Sequence, residues 1–159
     1  MSTLRRLLSH GVRGNATTID VGLAVLRVIV GLAFMTVFEK FLPREGVWGP
    51  QQWFIDDVAE MGFPAPAAFA WLAVLIEFFG GLLLIVGFGT RLAALATCIV
   101  TFTAAFVYHG GDVGQSGLTA TVFLAMCTTL LIAGPGRFSV DGLMATKPGK
   151  PDRTHTVAD

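Results

Sequence analysis

Residues 75–91 read LIEFFGGLLLIVGFGTR. A single acid sits inside an apolar run, two adjacent glycines follow it by one turn, and a Gly-Phe-Gly-Thr turn leads into an arginine. An ionised side chain near mid-membrane costs about 2.5 to 3.5 kcal/mol on insertion scales, so Glu77 is expected to face other protein or a polar cavity. Helical spacing places Glu77 on one face with Ala73, Gly80, Gly81 and Leu84, where small residues let a neighbouring backbone come close. The turn then folds this helix against the next as an antiparallel hairpin. Gly87 or Gly89 supplies the left-handed residue, and Thr90 is expected to cap the second helix.

The rest of the chain has the same character. Of 159 residues, 53% are hydrophobic and 14% charged, with a mean hydropathy of +0.69. Crossing a hydrocarbon core of about 30 Å takes about 20 helical residues. Four runs approach that length: Val21 to Phe41, Ala67 to Gly87, Arg91 to Tyr108 and Gly117 to Ala133. None alternates with period two, and lipid demands that backbone groups be satisfied in helices or a closed barrel. The expected fold is all-α: a polytopic membrane protein built as an antiparallel four-transmembrane-helix bundle. The first run follows Arg5, Arg6 and Arg13, but it is too long for a signal peptide and lacks a small-residue cleavage site, so it is expected to be retained.

Three divisions follow: a basic cytoplasmic N-terminal tail over 1–19, a four-helix membrane domain over 20–142, and a disordered tail over 143–159 rich in Pro, Lys, Asp and Thr. Thr18 or Asp20 is expected to cap the first helix. The longest connection contains Pro50, with Phe54, Val58 and Met61 at i, i+4 and i+7, which reads as a short amphipathic helix at the outer surface. There Trp48, Trp53 and Trp71 suit the headgroup level, while Asp56, Asp57 and Glu60 face water. Arg5, Arg6, Arg13, Arg91, Arg137, Lys147, Lys150 and Arg153 fall on one side and only Lys40 and Arg44 on the other. The positive-inside rule then puts both termini in the cytoplasm. Lipid is the first partner. A net charge of zero with no basic patch gives no reason to expect nucleic acid.

The candidate polar intramembrane site comprises Arg27, Glu39, Lys40, Glu77, Tyr108 and His109. By depth, Arg27 is expected roughly 6 Å to the cytoplasmic side of Glu77, within arginine's reach. The pair reads equally as a structural ion pair fixing helix register or as part of a functional site. Glu39, Lys40, Tyr108 and His109 cluster toward the outer helix ends, where snorkelling or hydration accounts for them as well as proton handling does. Gly31, Gly80 and Gly81 are the expected close-packing positions. Cys98 and Cys127 lie at similar depths and read as small buried packing residues. No metal-ligand cluster, haem pair, iron-sulfur motif or nucleotide loop is present in the sequence.

LRVIVGLAFMTVFEK at 26–40, MGFPAP at 61–66, IEFFGGLLLIVGFGTRLAAL at 76–95, YHGG at 108–111 and GPGRFSVD at 134–141 together resemble the DoxX family of small bacterial membrane proteins. The resemblance spans Ile19 to Gly142. It matches Arg27 and Lys40 to basic positions of the first helix, Glu77 to the acid of the second, Arg91 to the inner turn and His109 to the third-helix histidine. It implies a four-helix bundle in a bacterial cytoplasmic membrane, compared with quinone-linked thiol oxidoreductases, although this chain lacks a catalytic thiol pair. The resulting expectation is a membrane subunit of a redox system with a bound quinone or other lipophilic molecule. With no autonomous catalytic motif, it would rely on a partner protein for electron transfer; a protein partner or a homo-oligomer is expected. The alternatives are a non-catalytic scaffold or assembly factor and, last, a small-solute carrier.

Overall fold

The computed structural model describes residues 16–36, 49–114 and 117–145. Among the described residues six α-helices run in order: α1 (Ala16–Met35), α2 (Gln52–Glu60), α3 (Pro66–Val86), α4 (Thr90–Phe102), α5 (Leu118–Ala133) and α6 (Val140–Ala145). A π-helical stretch, Thr103–Tyr108, prolongs α4. No strand occurs among the described residues. Residues 1–15, 37–48, 115–116 and 146–159 lie outside the described residues, among them Glu39 and Lys40 at the expected outer end of the first helix and Trp48 of the long connection.

α1, α3 and the α4 rod are long and apolar enough to cross a membrane, at 20, 21 and 19 residues. α5 is apolar but has 16 residues, about 24 Å by helical rise against a core of about 30 Å. The polarity is that of a membrane bundle. Leu92 and Ile132 are each 75% exposed, and Ile29, Leu32, Phe79 and Phe102 also point outward. The buried side chains, by contrast, include Arg27, Glu77, Thr90, Thr97 and Thr101. Apolar surface needs no burial when lipid is the solvent, and polar groups must find protein. The protein is an all-α polytopic membrane helical bundle.

α1 packs on α3, α3 on α4, α4 on α5, and α5 returns to α1, which closes the ring. Glycines set the tightest crossings. A Cβ on Gly31 would stand 2.6 Å from the Gly81 carbonyl oxygen, and one on Gly81 would stand 2.8 Å from that of Gly31. Gly80 serves the other neighbour, because its Cβ would come 2.8 Å from the Thr97 methyl of α4. The two adjacent glycines thus receive a different helix each. Val30, Phe34, Leu84, Ala94, Cys98, Cys127 and Leu130 fill the core below these crossings.

Capping differs from the sequence expectation at two places. Thr18 and Asp20 lie inside α1, which is already helical at Ala16, and Asp20 instead accepts a hydrogen bond from the Arg137 amide at 3.1 Å. Thr90 is the first residue of α4, not its cap. The Asp141 carboxylate, more than fifty residues away, accepts from the Gly89 and Thr90 amides at 2.9 Å each. A carboxylate with two oxygens satisfies two of the four free amides at a helix start, which a threonine hydroxyl cannot do. α6 also runs to Ala145, past the expected boundary at 142.

Candidate functional site

α2 lies across the bundle end opposite α6, with Val58 buried against α3. Beneath it, between α3 and the α4 rod, is a cavity of about 340 Å³. Apolar side chains make most of its wall: Phe54, Val58 and Met61 from α2, Phe69, Leu72 and Ile76 from α3, and Ile99 and Val100 from α4. Five groups break that surface, namely Asp57, Glu77, Thr103, Tyr108 and His109. Glu77 is 6% exposed, on the wall formed by α3.

The π-helical stretch decides which side chains meet the cavity. Three threonines in succession turn their hydroxyls back onto the chain: Thr97 to Ala93 O, Thr101 to Thr97 O and Thr103 to Ile99 O, at 2.8–3.0 Å. Such back-bonding competes with the backbone ladder and bends helices. The ladder widens just after it, and the His109 amide reaches Ala104 O at 3.1 Å, five residues back. In an α-helix, Thr103 would share its face with Val107. With one extra residue in the turn, Thr103 aligns with Tyr108 and Ala104 with His109, and all four line the cavity while Val107 stays half exposed on the outside. π-bulges of this kind are frequent at functional sites. The Tyr108 and His109 rings meet edge to face at 4.8 Å.

Asp57 closes the arrangement from α2. Its carboxylate, with that of Glu60, sets negative charge near the Tyr108 hydroxyl. The sequence reading set Asp57 in water with Asp56 and Glu60. It instead lines the cavity, because Asp57 is i+3 from Phe54 and i−4 from Met61 and so falls on the apolar stripe. That offset was the signal available in the sequence.

Arg27 is not in this cavity. The Gly31–Gly81 crossing sets the register of α1 against α3 so that Arg27 meets the far end of α3. Its guanidinium lies against Gly87, ten residues and about 15 Å along the helix from Glu77. Arg27 Nη2 donates to the Phe138 carbonyl, while Nε and Nη1 have no hydrogen-bond partner among the described residues. The expected reach from Arg27 to Glu77 is therefore corrected: the guanidinium serves the α6 end. Gly87, with φ of 74°, is left-handed and its missing side chain makes the room that Nη1 fills. Ser139 caps α6 by accepting from the Gly142 amide at 2.9 Å, and the Asp141 amide donates to Gly87 O at 3.0 Å. At Asp141, burial alone would push the carboxyl upward, but the Thr90 and Gly89 amides and the Arg27 charge outweigh it and hold the group below the ordinary carboxylate range. Arg91 lies over Gly134 at the end of α5.

Glu39 and Lys40 lie outside the described residues. Cys98 and Cys127 are buried between α4 and α5, where the Thr97 hydroxyl donates to Cys127 Sγ at 3.4 Å. Among the described residues no group of three or more His, Cys, Asp or Glu is placed to hold a metal ion.

No solved structure matches this chain. The inner membrane protein YqjF of Escherichia coli (strain K12) is 33% identical over 134 residues, which cover 80% of this chain and 95% of that protein. The DoxX family profile matches residues 22–110, from the first turns of α1 through the Tyr108-His109 corner of the cavity. On these matches, and with the helical membrane bundle already described, the chain belongs to the DoxX family.

Proposed function

We propose that the protein is an integral subunit of a membrane redox system, and that the cavity under α2 holds a quinone or another lipophilic ring compound. The observation that carries this reading is the cavity itself. At about 340 Å³ it falls within the about 300–1,000 Å³ usual for small-molecule sites, and its apolar wall carries a few convergent polar groups, as such sites do. A ring would lie between α3 and α4, with Glu77, Tyr108 and His109 near its edges. Those groups handle protons or polarise a ring oxygen, and positioned side chains of this kind are competent general acids and bases. Electrons come from a partner protein that carries a redox centre.

The setting is the bacterial inner membrane, as the name of YqjF states for that protein. Both termini face the cytoplasm, since Arg91 and Arg137 lie at the α6 end while the acidic α2 marks the other.

Native mass spectrometry of the protein extracted gently from its own membranes tests this reading. A quinone-sized adduct is expected on the wild type and is expected to fall about tenfold in occupancy in Glu77→Gln, given the usual cost of losing a charge-assisted hydrogen bond. A stable protein complex carrying no such adduct would replace this reading with that of a scaffold.

A further inference from the structure

The cavity is a wedge between two helices. α3 and α4 come close at Gly80, where a Cβ would stand 2.8 Å from the Thr97 methyl, and the cavity starts at Glu77, just above that contact. From there the helices part toward α2, whose Phe54, Val58 and Met61 fill the wide end. The side of the wedge is less well closed. Leu72 of α3 and Ile99 of α4 both line the cavity, yet they are 52% and 59% exposed. Each belongs to an outward-facing row of its own helix: Leu72 continues into Leu75 and Phe79, and Ile99 stands between Leu95 and Phe102. A side chain that lines a cavity and also faces lipid stands on the rim of an opening. That rim lies within hydrocarbon. Leu72 is six residues, about 9 Å, along α3 from Pro66, and Ile99 is nine residues before Tyr108, against a half-core of about 15 Å.

Size decides what such an opening admits. At about 340 Å³ the cavity stands near the lower bound of the about 300–1,000 Å³ usual for small-molecule sites, so it takes a ring but not a long chain as well. A chain that leaves between Leu72 and Ile99 passes from apolar wall into lipid and never meets water. At the α2 end the same chain would pass Asp57 and reach the water side, where every exposed methylene is unfavourable. We infer that the cavity opens sideways into the bilayer between Leu72 and Ile99, and that its ligand is a ring with a long apolar chain, held ring-in and chain-out, which enters from lipid and not from water. The inference rests on the proposed reading of the cavity as a ring-binding site and adds the chain, the route and the two residues that frame it.

Photolabelling of the full-length protein in lipid nanodiscs tests this. The probe is decyl-ubiquinone with a diazirine near the ring end of its chain, and unlabelled decyl-ubiquinone is the competitor. Only label that the competitor removes reports the site. In the wild type that label is expected at the opening, on α3 from Leu72 to Phe79 and on α4 from Leu95 to Phe102. Ile99→Trp sets an indole in the opening and should lower the competable label about tenfold, as overpacking an occupied space does. Leu95→Trp is the matched control: it faces lipid one turn away, lines no part of the cavity and should leave the label unchanged. Saturable binding with competable label on α2 or on the turn from Gly110 to Gly114, or on no part of α3 or α4, would overturn the inference while leaving the ring site standing. Unchanged label in a folded Ile99→Trp variant would overturn it as well. Titration calorimetry in the same nanodiscs reads the ring site separately: if decyl-ubiquinone shows no saturable binding, the ring-site reading falls and this inference falls with it. The wild-type label map needs no substitution, so it decides the matter even if Ile99→Trp does not fold.

Discussion

At the α6 end of the bundle the polar groups are taken up by distant parts of the chain, whereas at the α2 end they face a cavity. Asp141 caps α4 from beyond α5, Arg27 of α1 reaches the Phe138 carbonyl, and Gly87 leaves its side-chain space to that guanidinium. Under α2, Asp57, Tyr108, His109 and Glu77 line a space that apolar walls leave unfilled. Both ends hold a buried ionisable side chain, Arg27 at one and Glu77 at the other. One joins helices and the other lines an unfilled space: a bundle locked at one end can keep the other open. The difference teaches that a membrane-embedded charge should be read by what surrounds it before it is read as a site.

The largest expected effect tests the locked end. Gly87→Ala puts a Cβ onto Arg27 Nη1 and 2.7 Å from Ser139 Cβ, at a φ of 74° that alanine avoids. The clash and the backbone strain together should destabilise the protein by about 3 kcal/mol or more. Gly89→Ala is the matched control. Its φ of 57° is equally left-handed, but nothing lies within 4 Å of the added atom, so only the conformational cost of about 1 kcal/mol remains. Thermal melting of both variants in the same detergent measures the gap. Equal melting points would mean that Arg27 does not need the space, and the description of a locked end would fail.

The helices were legible because their run lengths and lack of alternation are local properties, and Gly80-Gly81 was legible as a close-packing face for the same reason. Glu77 as an inward-facing acid, with Tyr108 and His109 toward one end of the bundle, was also readable from hydropathy and order along the chain. Three features were not. The partner of Arg27 depends on the register of α1 against α3, which the Gly31–Gly81 crossing fixes and which counting residues from the helix ends misplaces by more than a turn. The cap of α4 comes from Asp141, and no local pattern announces a bond spanning 51 to 52 residues. The π-helical register after Thr103 turns His109 into the cavity in place of Val107, and only the run of back-bonding threonines hints at it. Asp57 belongs to another category: it lay on the apolar stripe of α2 and was assigned to water because of its charge.

A smaller effect sharpens the account of the cap. Asp141→Ala removes the acceptor of two amides and should cost about 1 kcal/mol, as helix caps generally do. Asp141→Asn keeps one oxygen and should cost less. The folded group titrates below the ordinary carboxylate value because of the Thr90 and Gly89 amides and the Arg27 charge. Its contribution is thus complete above the unfolded value, near 3.9, and disappears as the pH falls through the lower folded value. Melting curves between about pH 6 and pH 2 should show an acid-dependent loss in the wild type that is reduced by about the cost of the cap in Asp141→Ala. An identical acid profile in the two proteins would remove Asp141 from the lock.

The smallest expected change in stability belongs to the open end. Ala73 lines the cavity from α3, one turn before Glu77. Ala73→Leu adds three carbons to an existing space, so it should displace no packed neighbour. Where a small-to-large change in a close-packed core costs about 1–3 kcal/mol, this one should stay within about 0.5 kcal/mol of the wild type in a melting experiment. Binding should respond in the opposite sense, because the added side chain occupies the volume a ring would need. A variant that melts like the wild type and no longer takes up decyl-ubiquinone would show that the space beneath α2 is kept for a ligand. If Ala73→Leu instead cost as much as a core insertion, the cavity would be a packed region like the rest of the bundle. The contrast between the two ends would then be one of charge placement alone.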